Sequence, residues 1–142
     1  MISIKKAKPG DLKGISEILR IEANKKPYFQ KWTKKASLKE INILFKNMDI
    51  YIAVTENKIV GFIAASLDHK KEVYIDELWL NSKYQRKGTG KSIMEFIEKK
   101  YKEKGAKTIK LTANSKAGAI HFYKKLNYKK DQGHIRLTKK LK

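Results

Sequence analysis

Gln85-Arg86-Lys87-Gly88-Thr89-Gly90-Lys91-Ser92 joins two patterned runs. An apolar run, Val73 to Leu80, precedes it, and an amphipathic run, Ile93 to Tyr101, follows it. The succession reads as strand, glycine-bearing turn, helix. Such a turn aims several backbone N–H groups and the positive end of a helix dipole at one point, which suits a phosphate or pyrophosphate. Gly88 and Gly90 let the backbone approach an anion that a side chain would hold off, and they accept the dihedrals of a tight turn.

Counting removes two nucleotide readings of this stretch. Gly90-Lys91-Ser92 matches the end of GxxxxGK[ST], but five positions before Gly90 stands Gln85, so the first glycine is missing. The acidic pair Asp76-Glu77 lies on the strand feeding the loop, whereas the magnesium-binding acid of such nucleotidases lies on a later strand, and residues 107–112 carry no acid. The dinucleotide pattern G-x-G-x-x-G fails at Ile93. The pattern satisfied throughout is Q/R-x-x-G-x-G/A, from Gln85 to Gly90.

The chain of 142 residues is long enough for one domain, 1–142, with a proper core. Hydrophobic residues make up 41% and charged residues 34%, the balance of a globular protein with a polar surface. No apolar run approaches the roughly 20 residues of a membrane span, and Met1 to Lys6 has no signal-peptide pattern, so a cytoplasmic location and no membrane association are expected. The absence of cysteine excludes thiolate nucleophiles, disulfides and Cys-based metal sites.

The net charge is +20, from 34 Lys and Arg against 14 Asp and Glu. Such a field draws in anions and permits weak, non-specific nucleic-acid association. Yet only Arg20, Arg86 and Arg136 are arginine, the residue on which base readout leans, and the lysines are dispersed along the chain. A Lys-rich solvated surface is the favoured reading. The same field argues against polyamines as ligands.

In order, residues 2–7 read as a strand, and apolar spacing from Leu12 to Ala23 as a helix reaching about Asn24. Residues 25–36, with Pro27, Tyr28, Phe29 and Trp32, read as a loop or broken helix whose aromatics either line a pocket or plug the core edge. Ser37-Leu38-Lys39-Glu40 has the form of a capping box opening a second helix that ends near Asn47. Ile50–Thr55 and Lys58–Ser66 read as a hairpin about Glu56-Asn57, and Glu72–Leu80 as a third consecutive strand. After the loop come a helix capped by Gly105, a strand within 107–112 and a short helix from Ala117 to Lys125. Tyr128, then His134 to Leu141, give one or two last strands. The expected fold is α/β, with a mixed, mostly antiparallel sheet of six to seven strands and helices on both faces.

With these elements in place, the sequence resembles the GCN5-related N-acetyltransferase (GNAT) superfamily. The resemblance rests on Gln85 to Gly90, on the strand end and spacer Leu78-Trp79-Leu80-Asn81-Ser82-Lys83-Tyr84, and on Ala119-Ile120-His121-Phe122-Tyr123-Lys124-Lys125-Leu126-Asn127-Tyr128, which is similar to the family's A-I-x-F-Y-x-K-x-G-F segment. The order of elements agrees from end to end, and only residues 25–36 lack a template. Asn127 stands where the family has Gly; Asn tolerates the left-handed turn.

The resemblance implies an acyltransferase that moves acetyl from acetyl-CoA to a primary amine of a protein or small molecule by direct attack, without a metal. The loop Gln85, Arg86, Lys87, Gly88, Thr89, Gly90 and Lys91 would hold the pyrophosphate, with Leu78, Trp79 and Leu80 beside the thioester and pantetheine arm. The Leu78 backbone N–H would meet the charge developing on the thioester oxygen. Tyr123 would give a proton to the departing thiolate, and Asn114 is carried over as a cofactor contact, with Lys116 competing for that slot. Glu77 and Asp76 are base candidates because their strand leads to the thioester; simple alternation puts them on opposite faces. A water-mediated base remains open. His69, His121 and His134 show no metal-ligand spacing. A homodimer is a further expectation from the resemblance. A reading from another class is a CoA-binding or nucleic-acid-associated module that keeps the fold without the transfer.

Overall fold

The computed structural model describes residues 1–114, 118–133 and 135–141. They fall into two compact units, Met1–Thr112 and Ala113–Lys142.

The first unit is built on a five-stranded sheet in the order β1-β2-β3-β4-β5. β1 (Ser3–Lys6), β2 (Asp49–Thr55), β3 (Lys58–Leu67) and β4 (Glu72–Leu80) are successively antiparallel, and β5 (Thr108–Leu111) joins β4 in parallel. The β2–β3 turn carries positive φ at both Glu56 (51°) and Asn57 (59°), the handedness that matches the strand twist. The β3–β4 turn is held by Asp68, whose Oδ1 accepts from the N–H of Lys70 (2.8 Å) and of Glu72 (3.0 Å).

Alternation along the strands gives the sheet two buried faces. Ile50, Ile52, Phe62 and Ala64 share one core with Ile15, Leu19 and Ile41 of two helices, α1 (Leu12–Ala23) and α2 (Lys34–Asn47). The opposite face, with Tyr51 and Ala65, receives α3 (Thr89–Glu103). There the Tyr51 and Phe96 rings meet edge-on at 5.3 Å, and the Tyr101 hydroxyl donates to Asp49 Oδ2 (2.7 Å) and lies 3.4 Å from Ala65 O. Burial, with the neighbouring Asp49 carboxylate, pushes the Tyr101 hydroxyl well above the usual phenol range. Burial would raise Asp49 too, but its hydrogen bond from Tyr101 and the Lys6 ammonium outweigh that and hold it below the usual carboxylate range. Helices thus cover both faces, as the sequence implies.

The second unit contains α4 (Ala119–Lys125). Asn127 follows it with φ 70°, the left-handed conformation expected of the residue that replaces Gly.

Two expectations are corrected. The sheet has five strands among the described residues, not six to seven: residues 128–133 and 135–141 form no strand. Ile135, Leu137 and Leu141 are each more than 80% exposed, so their alternation has no buried face to stabilise it. His134, Lys116 and Ala117 lie outside the described residues. Second, α2 is capped by Thr33, whose Oγ1 accepts from Ala36 N–H at 3.0 Å. Ser37 lies inside the helix and its hydroxyl donates back to Lys34 O at 3.1 Å. A capping box read from spacing alone could not distinguish a terminal Ser from one bonding back along its own helix.

Candidate active site

The site begins with a register change in β4. Ala64 pairs with Glu77, but the next β3 residue, Ala65, pairs with Ile75, so Asp76 is one residue too many. This bulge moves Glu77 and Ile75 to opposite faces although they are two apart. Alternation therefore does not decide between Asp76 and Glu77, contrary to the expectation. Asp76 is the exposed extra residue, and Glu77, paired with Ala64, faces α1 and α2 together with Trp79, paired with Phe62.

The bulge also separates the two edges of β4. β5 pairs only with Glu72 to Ile75, so beyond Asp76 the strand is laddered by β3 alone within the first unit. Asn81 N–H donates to Val60 O at 2.8 Å. Because hydrogen-bonded and non-hydrogen-bonded pairs alternate in an antiparallel ladder, Trp79 and Glu77 point their amides at β3, while Leu78 and Leu80 point theirs at the open edge. The Leu80 carbonyl agrees with this phase: it accepts from Gln85 Nε2 at 3.0 Å. Gly61 keeps the strands close here, since a Cβ at that position would come within 2.5 Å of Leu80 Cδ2 and 3.0 Å of Trp79 O.

From the end of β4 the chain passes through one turn of 3-10 helix, Ser82–Tyr84, into the loop. Asn81 Oδ1 caps that turn by accepting from Lys83 N–H at 3.0 Å. Arg86 (φ 62°) and Gly88 (φ 83°) are left-handed, and Gly88 directly precedes α3. Ser92 N–H is the amide that closes on Gly88 O, at 3.0 Å, which leaves Thr89, Gly90 and Lys91 as the first-turn donors without a partner inside the helix. Nothing lies within 4 Å of where a Gly88 Cβ would stand, so the glycine is required by its φ and not by crowding. Thr89 and Gly90 are buried, while Arg86, Lys87 and Lys91 are exposed. A nest of amides at a helix start, ringed by two lysines and an arginine, fits a pyrophosphate. Gln85, expected among its contacts, donates its side-chain amide to the Leu80 carbonyl at 3.0 Å.

On the other face, Trp79 Nε1 donates to Glu77 Oε2 at 2.5 Å, and the Tyr28 ring packs edge-on against Trp79 at 4.8 Å. Burial is the main cause that pushes the Glu77 carboxyl up to about 7; the Trp79 bond lowers it, and the Asp76 and Glu40 carboxylates raise it further. Burial also raises the Tyr28 hydroxyl. Trp32 packs against the core and Phe29 is 58% exposed, so the aromatic segment divides between lining the Trp79 side and plugging the core edge. The segment is tied by Asn24, which accepts from Trp32 N–H (2.6 Å) and donates to Trp32 O (2.9 Å). Asn24 is absent from the site read in the sequence, where Tyr28 figures only as one of the aromatics of 25–36 that line a pocket or plug the core edge. An Asn at the end of a helix eight residues before a Trp leaves no pattern.

Leu78, Trp79, Leu80, Glu77 and the loop from Gln85 to Lys91 thus belong to one unit. Tyr123 and Asn114 belong to the second. There the Tyr123 ring meets Phe122 at 5.0 Å and Tyr128 at 5.7 Å, both edge-on, and Tyr123 O accepts from the N–H of Leu126 and Tyr128 at 3.0 Å each. Asn114 is exposed.

A mixed sheet whose fourth strand loses one neighbour beside a glycine-bearing helix start defines a class, and the comparisons agree with it. The model of the acetyltransferase (GNAT) family matches residues 16–128, and the chain belongs to that family of acyltransferases. An uncharacterized N-acetyltransferase, ycf52, of Pyropia yezoensis is 28% identical over 110 residues, covering 74% of this chain; the chain spans 62% of that relative's length. Among solved structures, a "possible acetyltransferase" from Clostridium difficile 630 superposes with TM-score 0.83 at 16% identity, covering 100% of this chain and 99% of that one. The PaiA N-acetyltransferase of Thermoplasma acidophilum, solved in complex with coenzyme A, has TM-score 0.73 at 25% identity, covering 89% and 88%.

Proposed function

We propose that this chain is an acetyl-CoA-dependent N-acetyltransferase that acts on a primary amine by direct attack. The observation that carries the reading is the β4 bulge at Asp76. It leaves the Leu78 and Leu80 amides on an open strand edge that runs into the amide nest of Thr89 to Lys91, with Glu77 on the strand's other flank.

Bound acetyl-CoA would supply an acetyl group activated as a thioester. The amides of residues 86–91 hold the pyrophosphate, with Lys87, Lys91 and Arg86 adding charge and Thr89 a hydroxyl. Along the open edge Leu80 and Leu78 run beside the pantetheine arm, and the Leu78 N–H donates where charge develops on the thioester oxygen. Glu77 takes the proton that an ammonium must lose before its nitrogen can attack; a carboxyl near 7 is half ionised at neutral pH, which matches a general base to its working range. Trp79 orients that carboxylate and, with Tyr28, gives the acceptor an apolar approach. Tyr123 is the proton source for the departing sulfur, and Asn114 a cofactor contact. The Thermoplasma relative, solved with coenzyme A, supports the choice of donor.

A free-thiol release assay over a panel of N-terminal peptides, lysine peptides and small amines tests the reading, alongside thermal shift with acetyl-CoA, CoA and RNA. Stabilisation by either CoA form and thiol release with at least one amine are expected. Stabilisation by RNA alone overturns the enzyme in favour of a binding module. Tyr123→Phe should lower turnover with little change in acetyl-CoA binding; unchanged turnover across pH removes Tyr123 as the acid.

A further inference from the structure

The last turn of α1 carries a buried carboxylate for which the proposed chemistry has no use. Glu22 is 7% exposed. Its Oε1 accepts from the Ser82 hydroxyl at 2.7 Å, and its Oε2 accepts from the Ser82 backbone N–H and from Lys25 Nζ, each at 3.2 Å. Lys25 Nζ also donates to Ser82 Oγ, at 2.7 Å. The hydroxyl gives its single proton to Glu22 and accepts from Lys25, so the ring closes. A buried carboxylate persists only where such partners replace water.

The two ends of this ring lie at the two sides of the candidate site. Ser82 opens the turn that carries β4 into the loop, and its carbonyl accepts from Gln85 N–H at 3.3 Å. Gln85 in turn holds the Leu80 carbonyl on the open edge. On the other side, Lys25 O accepts from the N–H of both Tyr28 (3.0 Å) and Phe29 (3.1 Å), so Lys25 is the foot of the aromatic segment whose Tyr28 packs on Trp79.

We infer that Glu22, Ser82 and Lys25 form a positioning clasp. It fixes the pyrophosphate loop and the acceptor-side segment to the same turn of α1, so that donor and acceptor are presented in register. The part played in cofactor binding rests on the function proposed above; the clasp as a support for both segments does not. None of its residues touches the reacting atoms. They act through Gln85 on one side and Tyr28 on the other.

The test pairs amide exchange with steady-state kinetics for Ser82→Ala, Ser82→Thr and Lys25→Met. In Ser82→Ala the amides of Tyr84, Gln85, Tyr28 and Phe29 should exchange roughly tenfold faster, as expected when a hydrogen bond to a charged group is lost, while those of β2 and β3 are unchanged. The KM for acetyl-CoA should rise roughly tenfold with kcat within about twofold, and Ser82→Thr, which keeps the hydroxyl, should restore both. Lys25→Met should affect Tyr28 and Phe29 more than Gln85. Unchanged exchange at Tyr84 and Tyr28, or equal acceleration throughout β2 and β3, overturns the clasp. Local loosening with an unchanged KM overturns its role in cofactor positioning. Absence of thiol release by the unmodified protein overturns the proposed function, while the exchange measurements still decide the clasp.

Discussion

Glu22 and Glu77 are both removed from most of the solvent, and their surroundings differ in kind. Glu22 is answered by a hydroxyl, a backbone amide and an ammonium. Glu77 receives one indole N–H and has the Asp76 and Glu40 carboxylates for neighbours, in a chain with a net charge of +20. The contrast is one of partnering more than of burial: Glu22 has polar partners on both carboxylate oxygens, whereas Glu77 is buried with one donor beside two further carboxylates.

The largest expected effect comes from replacing Glu77, the proposed general base. Glu77→Gln should lower kcat/KM by roughly 10²- to 10⁴-fold, the usual range for a general base. In the unmodified protein kcat/KM should rise with pH through the Glu77 transition at about 7, because the proposed base acts in its ionised form. A pH–rate profile with no inflection there would leave Glu77 without a catalytic role.

The same substitution should act on stability in the opposite direction. The folded-state pKa is raised from 4.5 to about 7, so the native state holds its proton more tightly than the unfolded chain. Its destabilising effect is absent below the unfolded pKa, grows as pH rises between the two values and is complete above the folded one. Urea unfolding should therefore find Glu77→Gln more stable by on the order of 2–3 kcal/mol at pH 9, and equal to the unmodified protein at pH 4. A protein whose proposed active-site residue is also a stability defect illustrates the usual trade between the two.

Ser82→Ala provides the counterpart at Glu22. Loss of a hydrogen bond to a buried carboxylate should cost roughly 1.5–3 kcal/mol in urea unfolding at pH 7. An effect near zero would place Glu22 with Glu77 and dissolve the distinction.

Gly61→Ala probes the strand beneath Glu77. The new methyl would meet Leu80 Cδ2 and the Trp79 carbonyl, and overpacking of this kind should cost roughly 1–3 kcal/mol while weakening acetyl-CoA binding through the displaced Leu80. The smallest effect is expected from Trp79→Phe. It removes the one bond that lowers Glu77, so the acid limb of the pH–rate profile should move to higher pH.

Much of the first unit was legible in the sequence because its signals are local. Leu12 to Ala23 repeats at helical spacing, Glu56-Asn57 is a two-residue hairpin turn, and Gln85 to Gly90 is a contiguous pattern. The clasp was not legible, since Glu22 and Ser82 are 60 residues apart and neither type signals burial. The bulge at Asp76 was not legible either, because Glu72 to Leu80 reads as one uninterrupted strand and the extra residue is defined only against β3. The last strands were overread. The alternation of Ile135 and Leu137 promises a buried face that the described residues do not form. The placement of Glu77 near Glu40 of α2 likewise depends on tertiary contacts.

Asp76 gives β4 a change of phase. A strand has two periodic properties, the side of the sheet its side chains take and the edge its amides face, and one inserted residue shifts both together. Were Asp76 paired with Ala64 in an unbroken register, Glu77 would stand opposite Ile63 and Trp79 opposite Gly61, on the α3 face, and the amides of Leu78 and Leu80 would turn toward β3, with no change to any of those residues. The chemical character of this strand end is therefore set by the register at which β4 meets β3, and an insertion or deletion within 77–80 should be harder to tolerate than most substitutions there.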